Sequence, residues 1–172
     1  MDAETVEHDF GQFCIDAHPR LVAALAHHCG DAHLAEELAQ EALIRAGDRW
    51  PKVRLLDSPL GWTFRVGANL AASSFRRRGA ERRALDRMGS GGRADARDAD
   101  GGDAVAVRQA LAGLPDRQRR VVVMRYYLDL SADQVAEVMG IRAGAVRMLS
   151  HRALAHLRSE LAENDGVEVR HG

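Results

Sequence analysis

Four groups of side chains in this sequence could do chemistry, and for three of them that chemistry is recognition of a charged partner. The first lies between Arg142 and Arg158. With Val146 pointing inward and about 100° of turn per residue, Gly144, Met148, His151 and Ala155 face outward, flanked by Arg147, Arg152 and Arg158, and the arc holds no acid. Such a helix suits a DNA major groove, where phosphates line both edges and base edges offer acceptors to arginine. A solvated face in an all-α bundle is the competing reading. The second group is Trp62, Arg65, Asn69 and Ser73, followed by Arg76, Arg77, Arg78, Arg82 and Arg83. An indole can stack on a base, an amide and a hydroxyl can bond its edge, and guanidinium groups can hold phosphates; Trp62 as simple core competes with this. The third is Glu36, Glu37, Gln40 and Glu41, a cluster of like charge that repels itself unless a basic partner neutralises it. The fourth, His18, His27, His28, His33, Cys14 and Cys29, has metal-ligating residue types but no HxxxH or CxxC pair at ligand spacing. No metal, cofactor or catalytic residue is expected from it.

The elements that must carry these groups are all helical. Ser131, with Gln134 three residues on, is a capping box that starts a helix bearing Val135, Val138 and Met139; Gly140 ends it. After a tight turn, Val146, Leu149, Ala153, Leu154, Leu157 and Leu161 define the buried stripe of a second helix. Two helices around a glycine turn make a helix-turn-helix. Upstream, Leu114-Pro115-Asp116 starts a helix through DRQRRVVVMRYYL, in which Val121 to Val123 have strand propensity but the proline-acid start and the length favour helix. Near the N-terminus, Phe10 to Cys29 keep helical spacing with a kink or restart at Pro19, and Gly30-Asp31 opens the acidic helix, which shares a stripe of Leu34, Leu38, Ala42 and Arg45. Trp50-Pro51 ends it. Lys52 to Pro59 read as a loop, with Asp57-Ser58-Pro59 starting a helix on which Leu60, Phe64, Gly67, Ala68, Ala71 and Phe75 can line one side.

Charge divides the 172 residues more sharply than the net −1 suggests. Residues 1–50 hold ten acids and three bases, 51–93 three acids and ten bases, and 104–162 nine arginines against five acids. Two basic blocks suggest two contacts on a polyanion, and the acidic block suggests a protein partner. Every base except Lys52 is arginine, which fits phosphate recognition and also a GC-rich coding bias. Residues 88–103 carry five glycines and alternating charge, a flexible linker. The expected organisation is therefore all-α, with two small helical domains at 1–87 and 104–163, the linker at 88–103 and a tail at 164–172. Two cysteines support no disulfide framework, and the apolar runs are far short of the about 18 residues that span a bilayer. A cytoplasmic protein without a membrane contact is expected.

HLAEELAQEALIRAGDRW, GWTFRVGANLAASSFRRR and LPDRQRRVVVMRYYLDLSADQVAEVMGIRAGAVRMLSHRALAHLR follow one another in this order. Over about residues 10–162 the chain resembles the extracytoplasmic-function (ECF) group of sigma-70 family sigma factors, with a region 2-like bundle followed by a region 4-like helix-turn-helix. The resemblance implies a non-enzymatic initiation factor that binds core RNA polymerase, through its β′ and β subunits, and promoter DNA. Glu37, Leu38, Gln40 and Glu41 would dock on the β′ clamp helices. Trp62, Arg65 and Asn69, with the preceding loop, would engage the minus-ten element and capture an unpaired base, with Arg76, Arg77 and Arg78 on the DNA path. Arg142, Gly144, Ala145, Arg147, Met148, His151 and Arg152 would lie at the minus-thirty-five element. An anti-sigma factor that clamps both domains is a further implied partner. Arg142 and Ala145 stand where the family usually has serine and threonine, so the reading helix lacks a side-chain N-cap, a loss of about 1 kcal/mol. Without the resemblance, a stand-alone helix-turn-helix regulator remains the alternative.

Overall fold

The computed structural model describes residues 3–87 and 102–168, and all the regular structure among them is helical. Most of the 88–103 linker, and residues 169–172 of the expected tail, lie outside the described residues. Helix α1 (Ala3–Cys29) packs against α2 (Ala32–Gly47) and α4 (Pro59–Arg87), with the one-turn α3 (Trp50–Val53) between them. The second half contains α5 (Gly102–Gly113), α6 (Asp116–Val122), a π-helical turn (Val123–Tyr127), α7 (Ala132–Met139) and α8 (Ala143–Glu168).

Local signals place most of the boundaries. Gly30 takes φ +74, and Asp31 in extended conformation accepts the Leu34 amide at 2.9 Å, so the chain turns once and restarts as α2. Ser58 does the same for α4, accepting from the Gly61 amide at 3.0 Å with Pro59 in the first turn. The Ser131–Gln134 capping box is formed in both directions. Gly140 closes α7 at φ +64, a backbone conformation that would strain a side chain. Asp129, also left-handed at φ 57, ends the π turn before the helix-turn-helix.

Several expectations are corrected. Pro19 neither breaks nor restarts α1, which continues through it. Pro19 and Ile15, whose carbonyl it frees, are both exposed, so water can take that acceptor. The stretch after Trp50 is not all loop: Trp50 is buried between Phe10 and Phe13, ring centroids at 5.2 and 4.8 Å, which anchors α3. Phe75 is 43% exposed rather than part of the apolar side of α4, whereas Thr63 and Ser74 are buried there. Helix α8 runs to Glu168, into the expected tail.

The largest difference concerns the core. Two separate small cores were expected, yet one cluster of buried side chains runs from Leu21, Leu25, Leu38 and Phe64 in the first half to Val121, Met124, Val135 and Val146 in the second. A satellite of Leu111, Leu114, Val122 and Ala153 lies beneath α5 and α8. Domains of about 60 residues bury only about 60% of their unfolded surface, and docking one on the other covers apolar area that neither covers alone.

Candidate nucleic-acid interface

Helix α8 presents the outward arc as its sequence requires. Val146 and Ala153 are fully buried, while Arg142, Gly144, Ala145, Arg147, Met148, His151 and Arg152 are exposed, Met148 by 55%. The Arg142 carbonyl accepts the amides of Ala145 (2.9 Å) and Val146 (3.2 Å), starting the helix without a side-chain cap. Beside the arc, Arg125, Tyr126, Arg147, Ser150, His151 and Leu154 line a shallow depression. Arg125 donates to the Leu130 carbonyl at 2.7 Å, so its guanidinium is fixed at the edge of the arc. Arg125 and Tyr126 were not picked out from the sequence, because only the π turn brings them beside α8.

A second surface lies on α4. An open cleft of about 360 Å³ between the end of α2 and α4 is lined by Arg45, Asp48, Arg49, Trp62, Asn69 and Ser73, among others. Trp62 is half-buried in its wall, so neither simple core nor free surface describes it. Arg45 and Arg49 were missed in the sequence, since they belong to the acidic helix and its exit and only the fold turns them toward Trp62. Arg65 and Asn69 project on the side of α4 that meets the second half: Arg65 Nη1 donates to the Val138 carbonyl at 2.6 Å, and Asn69 Oδ1 accepts from Arg120 Nη1 at 2.6 Å. Arg76, Arg77 and Arg78 are exposed farther along, Arg76 donating to the Ser73 hydroxyl at 3.0 Å.

The acidic face of α2 differs from expectation at one position. Leu38 is only 7% exposed and sits in the core, because the apolar stripe that folds α2 claims it. The open surface is Glu37 and Gln40, with Glu36 and Glu41 half-buried and Ile44 exposed by 60%. Its like-charge repulsion is relieved from within by Arg45, 2.8 Å from Glu41, while Gln40 donates to Glu36 at 3.1 Å, and His18 lies 3.0 Å from Glu36 and His33 3.4 Å from Glu37. Exposed pairs of this kind contribute about 0–1 kcal/mol each. Cys14 and Cys29 are free, and burial pushes both thiols up; Cys29 Sγ also donates to the Asp31 carbonyl at 3.3 Å. No group of three or more histidine, cysteine or carboxylate side chains that could hold a metal occurs among the described residues.

The sequence model of sigma-70 region 2 matches residues 14–81, and that of sigma-70 region 4 matches residues 104–157. The chain belongs to the sigma-70 family. It is an ECF-type member, a sigma factor for transcription initiation. It is 34% identical over 134 residues to the RNA polymerase sigma-E factor of Streptomyces coelicolor, covering 76% of this chain and 73% of that protein. It is 28% identical over 147 residues to the ECF RNA polymerase sigma factor SigW of Bacillus subtilis, covering 78% and 79%. In fold it is similar to the sigma factor RpoE of Bartonella quintana, solved in complex with the anti-sigma factor NepR: TM-score 0.73, 23% identity, covering 90% of this chain and 97% of that one. The region 2 match of this sigma factor thus falls within α1 to α4, and the region 4 match runs from α5 into α8. No helix among the described residues is long and apolar enough to cross a membrane.

Proposed function

We propose that this sigma factor docks on core RNA polymerase through the α2 face, captures an unpaired promoter base at α4 and reads a duplex element with α8. The observation that carries the proposal is the acid-free, exposed arc of Arg147, Met148, His151 and Arg152 on a helix whose opposite stripe is fixed in the core. Arg147 and Arg152 can pair with guanine edges or phosphates, Met148 can meet a thymine methyl, and Arg142 and Gly144 stand at the helix start, where a phosphate can approach the N-terminal end of the dipole beside Ala145. In region 2, Trp62 and Asn69 supply a stacking surface and an amide for a base flipped out of the duplex, with Arg45 and Arg49 for its phosphates; unstacking costs a few kcal/mol, which such a pocket offsets. Arg65 and the basic tail Arg76, Arg77 and Arg78 extend that path. On the protein side, Glu37, Gln40, Glu41 and Ile44 form the polymerase-binding patch, acidic at the rim with one apolar anchor. The factor acts in the cytoplasm by binding alone, with no bond-making chemistry, cofactor or membrane contact of its own, and an anti-sigma factor would restrain it.

Two variants test the assignment. Glu37→Lys combined with Gln40→Ala is expected to weaken co-elution with core polymerase at unchanged helicity; unchanged core affinity would remove the α2 face from the interface. Arg147→Ala is expected to cost about 1 to 3 kcal/mol of duplex affinity and relax preference at one base position, read by selecting bound sequences from a random pool. An identical preference profile from both proteins refutes base reading by Arg147.

A further inference from the structure

The cleft between the end of α2 and α4 contains one group that phosphate binding does not explain. Asp48 lines it together with Arg45, Arg49, Trp62 and Asn69, and an acid there repels the backbone that the two arginines attract. Its carboxylate makes no hydrogen bond or ion pair among the described residues, although two guanidinium groups line the same cleft. Arg45 turns to Glu41 instead, at 2.8 Å through Nε, which keeps both of its terminal nitrogens out of that pair. Nor does the fold call for the carboxylate: only the main-chain N–H of Asp48 closes α2, on the carbonyls of Ala46 and Ile44.

The other polar side chains of the cleft donate or are already committed. Asn69 Oδ1 accepts from Arg120 at 2.6 Å, which leaves its N–H groups to give. The Ser73 hydroxyl donates to the Asn69 carbonyl at 3.1 Å and accepts from Arg76 at 3.0 Å. Arg45 and Arg49 can only donate. Asp48 is thus the uncommitted side-chain acceptor of the cleft. Stacking on Trp62 suits any base, so base identity has to come from hydrogen bonds to the pairing edge. Thymine offers a single N–H there, and adenine and cytosine a single amino group. Guanine sets two donors side by side, N1–H and the N2 amino group, which match the two oxygens of one carboxylate. Its acceptors O6 and N7 then remain for the donors of the cleft. We propose that Asp48 is a specificity-determining residue: it accepts N1–H and N2–H of the captured base and makes that base guanine. This rests on the assignment of the cleft to an unpaired base. The carboxylate weakens the hold on every strand and raises the penalty for the wrong base.

The test uses the full chain bound to core polymerase, with core polymerase alone as background. Fluorescence anisotropy reads its affinity for short thymidine strands whose central base is guanine, hypoxanthine or thymine. A single purine in a thymidine strand lets the cleft find its own register, and hypoxanthine differs from guanine only in lacking the N2 amino group. The wild type is expected to bind the guanine strand at least about tenfold more tightly than the thymine strand, the size of one good bidentate pair, with hypoxanthine between them. Asp48→Asn, nearly the same shape without the charge, is expected to erase the differences among the three strands and to bind the thymine strand no less tightly than the wild type. Equal wild-type affinity for all three strands overturns reading by Asp48, as does an Asp48→Asn variant that keeps the wild-type ranking or weakens all three together. Trp62→Ala then separates the two assignments. If it weakens every strand, base capture in the cleft stands without discrimination by Asp48; if it leaves the guanine strand bound as tightly as before, base capture there is overturned and the role of Asp48 with it.

Discussion

Phe64→Ala is expected to lower the free energy of unfolding by about 3–5 kcal/mol, a large part of the about 5–15 kcal/mol that holds a domain folded. Phe64 is fully buried on α4, meets His28 edge-on at 5.9 Å, and lies beside Met124 and Met139 of region 4. Removing its ring forfeits the transfer free energy of a large apolar side chain and leaves a cavity at the junction of α1, α4 and the π turn. The two methionines are flexible and can fill part of that space, which argues for the lower half of the range. Urea unfolding of the two proteins measures the difference, compared at equal m-value. A loss below about 1 kcal/mol would show that the two regions do not close on this ring.

The second large effect is a loss of stability in acid through His28. Its side chain is 3% exposed and its pKa is pushed from 6.5 down to about 4. Burial is the main cause; Asp116, 3.5 Å away, pulls the value up, and Arg119 and Arg120 add to the lowering. Nδ1 has no hydrogen-bond partner among the described residues, so an imidazolium here would carry a buried, unmatched proton. Because the folded value lies below the unfolded one, the unfolded chain binds more protons between them. Stability is therefore complete above pH 6.5 and falls as pH drops toward 4, by about 3 kcal/mol at about 1.4 kcal/mol per unit. Unfolding free energies of wild type and His28→Gln, measured from pH 7 to 4.5, are expected to diverge, with the wild type losing more. Parallel curves would contradict the buried neutral state.

The parts of the fold that were legible in the sequence are those governed by local rules. Ser131 with Gln134, Gly140, Asp31 and Ser58 each state a boundary in one or two side chains, and the structure forms all four. The exposed arc of α8 was legible because its opposite stripe, Val146 and Ala153, keeps one period. The seam between the regions was not. Its hydrogen bonds join arginine to main-chain carbonyls, as in Arg65 to Val138 and Arg119 to His28, and a carbonyl has no residue type to betray it. Gly61 looked like any glycine near a helix start, although what it accommodates is Leu130 and Val138, about 70 residues on. Leu38 illustrates the opposite error: a leucine on an acidic helix serves a partner surface and a core equally well by pattern, and packing against α1 and α4 decides for the core.

This chain is a sigma factor, and its partner core RNA polymerase should initiate at a chosen site only in its presence. Core polymerase reconstituted with the full chain on duplex DNA selected by that chain, with mapping of the transcript 5′ ends, tests this. Core alone is expected to be silent and to initiate at one defined position when the chain is added, an effect lost with the Glu37→Lys, Gln40→Ala variant. Tight binding of the selected DNA with no initiation and no association with core would contradict it, and would leave a stand-alone helix-turn-helix regulator.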